Sequence, residues 1–118
     1  MKPLFLHYPK CTTCKRALAS LKNLEVEVEE RHIVENNPSS LELAAWLKQS
    51  GLEVKKFFNT SGNLYKGLQL KDKLPTLSTE EAIELLATNG MLVKRPLLIT
   101  DKSIIIGFKE EKYQELFS

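Results

Sequence analysis

The apolar run Leu4-Phe5-Leu6 near the start of the chain ends on His7, and residues 3 to 7 read as a buried strand. Tyr8-Pro9-Lys10 then turns the backbone. A helix follows from Lys15 to Leu24, with Ala17, Leu18 and Leu21 on its apolar face and Thr12 or Thr13 placed to cap it. Val26-Glu27-Val28-Glu29 alternates with period two, and with Ile33 beyond it predicts a half-exposed strand. Asn36-Asn37-Pro38-Ser39-Ser40 breaks that strand. Ser39 or Ser40 caps a helix whose apolar positions are Leu41, Leu43, Ala44, Trp46 and Leu47, and Gly51 ends it.

From Val54 to Thr76 the pattern is less regular. Asn59-Thr60-Ser61-Gly62-Asn63 is a polar loop, with a short helical turn expected around Tyr65 to Leu70. Ser78-Thr79-Glu80-Glu81 opens another helix, carries Ala82, Ile83, Leu85 and Leu86 inward, and stops at Asn89-Gly90. Leu97 to Thr100 and Ser103 to Ile106 form a strand pair around Asp101-Lys102, and Lys109 to Phe117 closes the chain as a helix. The order is β-α-β, a helical middle, then β-β-α. That order predicts an α/β fold of thioredoxin-like type, a mixed four-stranded sheet with a helical insertion. It is expected to be a single domain over residues 1–118, with its core in 1–35 and 90–118 and the insertion over about 36–89.

Composition narrows the chemistry. With 118 residues, 42% hydrophobic and 27% charged, the chain can bury a core without disulfide staples. A net charge of +2 argues for no direct nucleic-acid partner. No run approaches the ~18 apolar residues of a membrane span, so no membrane partner is expected. The N-terminal apolar stretch is too short for a signal peptide, which predicts a cytoplasmic protein with reduced thiols.

Both cysteines lie in Cys11-Thr12-Thr13-Cys14, between the first strand and the first helix. Helix N–H groups and the helix dipole stabilise a thiolate there, below the free value of about 8.5. The second cysteine sits one turn away, within reach of a mixed disulfide on the first. Two competing readings are weaker. Inert core thiols do not fit the flanking Lys10, Lys15 and Arg16, and a zinc site wants about four ligands where only His7 and His32 remain as nitrogen donors. No metal is therefore expected. His7 itself reads as an edge or core histidine, and Trp46 as core.

Three segments, Tyr8-Pro9-Lys10-Cys11-Thr12-Thr13-Cys14-Lys15-Arg16-Ala17, Phe57-Phe58-Asn59-Thr60-Ser61-Gly62 and Lys94-Arg95-Pro96-Leu97-Leu98, together resemble the ArsC family. That family holds glutaredoxin-linked arsenate reductases and Spx-type regulators that bind RNA polymerase. The resemblance covers essentially the whole chain. It implies that Cys11 is the reactive cysteine, Arg95 an anion-binding arginine, and Pro96 the cis-proline facing the cysteine loop. It makes Cys11, Cys14 and Arg95 the catalytic candidates, and Thr12, Thr13, Asn59, Thr60 and Pro96 the substrate-binding ones.

The departures carry equal weight. The reductases bring two further arginines to the oxyanion, at positions that here fall in the Phe58-Asn59-Thr60-Ser61 loop and at Phe108, after Gly107. This chain has only Arg16, Arg31 and Arg95. A tetrahedral oxyanion wants several charge-assisted donors, so the cradle is incomplete. The reductases also commonly borrow glutathione as resolving thiol, whereas the paired cysteines here follow the Spx-type pattern. Two expectations stand. One is a thiol-dependent oxidoreductase with no bound cofactor, with glutathione as co-substrate or with glutaredoxin or thioredoxin as electron donor. The other is a redox-sensing regulator that binds the RNA polymerase α subunit.

Overall fold

The computed structural model describes residues 2–117 and divides into two compact units, residues 2–32 with 95–117, and residues 33–94. The first holds four strands and two helices: β1 (Leu4–His7), α1 (Thr12–Asn23), β2 (Glu29–His32), β3 (Leu97–Ile99), β4 (Ile104–Ile106) and α6 (Glu110–Phe117). Its sheet runs in the order β2-β1-β3-β4. β1 pairs parallel with β2 and antiparallel with β3, and β3 pairs antiparallel with β4, the mixed sheet that the order of elements predicts.

Side chains alternate across this sheet. Phe5 and Leu98 are register partners, and with Ala17, Leu21 and Tyr113 they form a fully buried core between sheet and helices. Leu18 and Phe108 pack against its margin, the Phe108 and Tyr113 rings meeting edge to face at 5.0 Å. Burying each such aromatic or aliphatic side chain contributes about 1.5–3 kcal/mol.

The second strand departs from the expected bounds. The Val26–Glu29 alternation is real, since Val26 and Val28 turn onto the core, but the ladder begins only at Glu29. Glu25 adopts φ 59°, and the Val26 N–H donates to the Leu21 carbonyl, so the chain is still leaving α1 at that point. Parallel pairing starts where Glu29 N–H reaches the Pro3 carbonyl at 2.8 Å and Glu29 faces Leu4. The ladder lies on Glu29-Glu30-Arg31-His32, whose charge suits an outer strand. Ile33, expected in this strand, belongs to the second unit.

That unit contains α2 (Ser40–Ser50), α3 (Asn63–Gly67), α4 (Leu70–Lys73) and α5 (Thr79–Ala87). Ser39 and Ser78 each cap a helix in a reciprocal capping box, with Glu42 and Glu81 as partners. Gly51 ends α2 with φ 69°, the left-handed conformation that glycine adopts without strain. Leu43 and Trp46 are buried as expected, but Ala44 is exposed and Leu41 is 82% exposed. Leu41 lies in the first turn of α2, two residues before the buried Leu43, where the helix presents a different face. Phe58 and Val93 form an antiparallel bridge, and the Asn37 amide donates to the Ala87 carbonyl at 2.7 Å. No helix among the described residues is long and apolar enough to cross a membrane.

Candidate functional site at the cysteine loop

The loop from Tyr8 to Cys11 closes on itself, the Cys11 N–H donating to the Tyr8 carbonyl at 2.9 Å. Cys11 is then the N-cap of α1, with extended backbone (φ −88°, ψ 121°). Its sulfur accepts the Cys14 N–H at 3.3 Å, the bond an oxygen makes at an ordinary cap. Thr12 and Thr13, expected as caps, are instead the first two helical residues, and both are exposed. The helix starts earlier because the sulfur of Cys11 already satisfies a first-turn donor.

The two thiols are free and differ in exposure, Cys11 half-buried and Cys14 fully buried. Their chemistry differs accordingly. Partial burial acts to raise the Cys11 thiol, but donation from the Cys14 thiol and from the Cys14 N–H outweighs it. The hydrogen bond and positive charge of Arg95 add to this, and Cys11 titrates below the ordinary thiol range. Cys14 is pushed up to about 12, chiefly by burial, and further by its bond to Cys11 and the Cys11 charge. A backbone hydrogen bond from Tyr8 and the charge of Arg95 pull the other way without prevailing. Of the two thiols, Cys11 is therefore the one that ionises more readily, and Cys14 the one that holds its proton.

Arg95 stands at the start of the segment leading into β3, joined to Pro96 by a cis peptide bond. The antiparallel pairing of Leu97 with Leu6 brings that end of β3 alongside the end of β1 from which the cysteine loop departs. The Arg95 Cζ lies 5.1 Å from the centre of the Tyr8 ring, and the His32 ring meets Tyr8 edge-on at 5.7 Å. His7 Nε2 lies 3.1 Å from Glu30 Oε1 across the β1–β2 pair, and its side chain is 14% exposed. Arg16 lies on the exposed side of α1 with its Cζ 5.7 Å from the centre of the Phe108 ring.

The first unit thus brings together Cys11, Cys14, Arg95 and Pro96, with Thr12 and Thr13 in the first turn of α1. Asn59 and Thr60 belong to the second unit. Asn59 is half-buried, its N–H donating to the Leu92 carbonyl at 2.8 Å and its own carbonyl accepting from Gly62 at 3.1 Å, while Thr60 is exposed. No group of three or more His, Cys, Asp or Glu side chains among the described residues is arranged to hold a metal ion. The sequence reads Tyr8 only as a turn residue, though an aromatic next to the cysteine loop is a signal that a cation could stack there.

A mixed four-stranded sheet carrying a C-x-x-C pair between its first strand and first helix defines a thioredoxin-like dithiol protein. The ArsC family pattern matches residues 6–116, and the chain belongs to that family. It is 48% identical over 115 residues to the Bacillus subtilis protein YusI, covering 98% of each chain. Over 118 residues it is 30% identical to the global transcriptional regulator Spx of Streptococcus pyogenes, covering 100% of this chain and 86% of Spx. A possible arsenate reductase from Streptococcus mutans superimposes with a TM-score of 0.85 at 50% identity, covering 91% of each chain.

Proposed function

We propose that the protein is a thiol–disulfide oxidoreductase in which Cys11 is the nucleophile and Cys14 the resolving thiol. The observation that carries this reading is the convergence of the Cys14 N–H, the Cys14 thiol and Arg95 on the Cys11 sulfur. The Cys11 thiolate attacks one sulfur of a substrate disulfide or glutathione adduct and expels the other as a thiolate. Cys14 then loses its proton, attacks the Cys11 sulfur and releases the second substrate thiol, leaving a Cys11–Cys14 disulfide. Two electrons have passed to the substrate together with the one proton of Cys14, and the substrate thiolate expelled first takes its proton from solvent. A cellular dithiol such as glutaredoxin or thioredoxin, or two glutathione molecules, restores the pair.

The order of events follows from the electrostatics. Burial chiefly keeps Cys14 protonated, and while Cys11 is a thiolate its hydrogen bond and its charge add to that. A mixed disulfide on Cys11 abolishes both, leaving Tyr8 and Arg95 to favour the Cys14 thiolate against its burial. Disulfides suit this site better than a tetrahedral oxyanion, since Arg95 is the arginine that acts on Cys11 among the described residues and arsenate wants several such donors.

Purified protein assayed with glutathione, glutaredoxin and thioredoxin, against model disulfides and arsenate, tests the proposal. Turnover that vanishes in Cys11→Ser is expected; turnover no greater than that control with every donor and substrate overturns it. The family resemblance to Spx over the whole chain, with its paired cysteines, supports a second reading. In that reading the disulfide is a signal that controls binding to the RNA polymerase α subunit. Redox-dependent capture of that subunit would favour it, and failure in both redox states would remove it.

A further inference from the structure

Tyr8 touches every participant in the proposed chemistry. Its carbonyl accepts the Cys11 N–H at 2.9 Å, and its backbone also hydrogen-bonds Cys14. Main-chain bonds to both cysteines fix the Tyr8 backbone relative to the loop. The Arg95 guanidinium lies over that ring at 5.1 Å, and the His32 ring meets its edge from β2 at 5.7 Å.

A guanidinium on a flexible side chain can occupy many rotamers, and holding it at one place costs conformational entropy. An aromatic face attracts the cation through the ring quadrupole and limits where it can go. We propose that Tyr8 is a positioning residue whose ring holds the Arg95 guanidinium against the Cys11 sulfur. The inference rests on the reading of Cys11 as the nucleophile and adds to it the residue that aims its positive charge. The charged and titratable groups around this arrangement are Cys14 and Arg95 at Cys11, His32 at the Tyr8 ring, and the His7–Glu30 pair on the neighbouring strands.

The test is the pH dependence of Cys11 alkylation by iodoacetamide, read with the ultraviolet absorbance of the thiolate. Tyr8→Phe keeps the ring and is expected to match wild type. Tyr8→Leu is expected to slow alkylation below the Cys11 midpoint by about two- to fivefold, the factor that a typical exposed cation–π contact represents. In an Arg95→Gln background, Tyr8→Leu is expected to add nothing, because the ring then has no guanidinium to hold.

Fluorinated phenylalanines at position 8 keep the shape while weakening the ring quadrupole, so the thiolate should be lost stepwise with fluorination even if Tyr8→Leu does not fold. A Tyr8→Leu protein that titrates as wild type, a fluorination series with no trend, or a Tyr8→Leu effect that persists without Arg95 overturns the inference. A wild-type Cys11 that titrates like a free thiol overturns the nucleophile reading itself, and this one with it.

Discussion

The main-chain N–H of Cys14 points at the sulfur of Cys11 across 3.3 Å, so Cys14 stabilises negative charge on Cys11 through its own backbone. Cys14 contributes through both its backbone and its thiol. The two contributions separate by mutation, because a substitution removes the side chain and leaves the N–H.

Cys14→Ala is therefore expected to raise the Cys11 pKa without returning it to that of a free thiol. Arg95→Gln should raise it as well, and the double variant should raise it further. A charge-assisted hydrogen bond contributes about 1.5–3 kcal/mol, which corresponds to roughly a tenfold or greater fall in thiolate at a pH below the midpoint. Alkylation rates across pH check this, and a Cys11 midpoint that both single variants leave unmoved contradicts it.

Alkaline pH should destabilise the reduced protein selectively. An unfolded cysteine ionises near 8.5, whereas folded Cys14 is held protonated up to about 12. A raised folded pKa means stability that is complete below the unfolded value and is lost progressively between about 8.5 and about 12. Cys11 acts oppositely, its depressed pKa adding stability above the unfolded value that is lost as pH falls towards the folded one. Denaturant midpoints of reduced protein should fall above pH ~9, and those of the Cys14→Ser variant should fall less.

Gly90→Ala should be among the most damaging small substitutions. A Cβ built on Gly90 would meet the Ile33 carbonyl oxygen at 1.9 Å and its carbon at 2.7 Å, both main-chain atoms that cannot rotate away. A loss of about 1–3 kcal/mol or more is expected, read as a fall in thermal midpoint. Gly67→Ala, with open space around its Cβ, is the contrasting control.

Tyr113→Phe is expected to be neutral or stabilising. The Tyr113 ring is fully buried in the first unit's core, but its hydroxyl has no hydrogen-bond partner among the described residues. Burying an unsatisfied hydroxyl costs about 1–3 kcal/mol, and removing it retains the ring packing against Phe108. A clear fall in thermal midpoint would show that the hydroxyl is bonded in solution.

The sequence carried the fold more readily than the site. The run Leu4-Phe5-Leu6, the Ser39 and Ser78 capping boxes and the isoleucine-rich pair ahead of Gly107 are local signals, and each element formed where its residues pointed. The second strand slid because alternation reports which side chains face inward and not where a neighbouring strand begins. Val26 and Val28 do face inward, and Leu4 sets the ladder further on. The cap of α1 was misplaced because a sulfur is a weak acceptor and is rarely counted among capping groups. Cys11, Cys14, Arg95 and Pro96 stand out in the sequence through their motifs, and the structure places all four in the first unit. The stacking of Arg95 on Tyr8 was not, since it depends on the antiparallel registration of β3 against β1, a long-range property that no local spacing encodes.

A helix that begins at a sulfur has a beginning whose strength depends on what that sulfur is bonded to. As a thiolate, Cys11 brings a full negative charge to the positive end of α1 and receives the Cys14 N–H. Joined in a disulfide it has no charge to offer, and the first turn loses an anchor worth up to about 1 kcal/mol. Oxidation of the pair would therefore also loosen the start of the helix behind it, and reduction would tighten it.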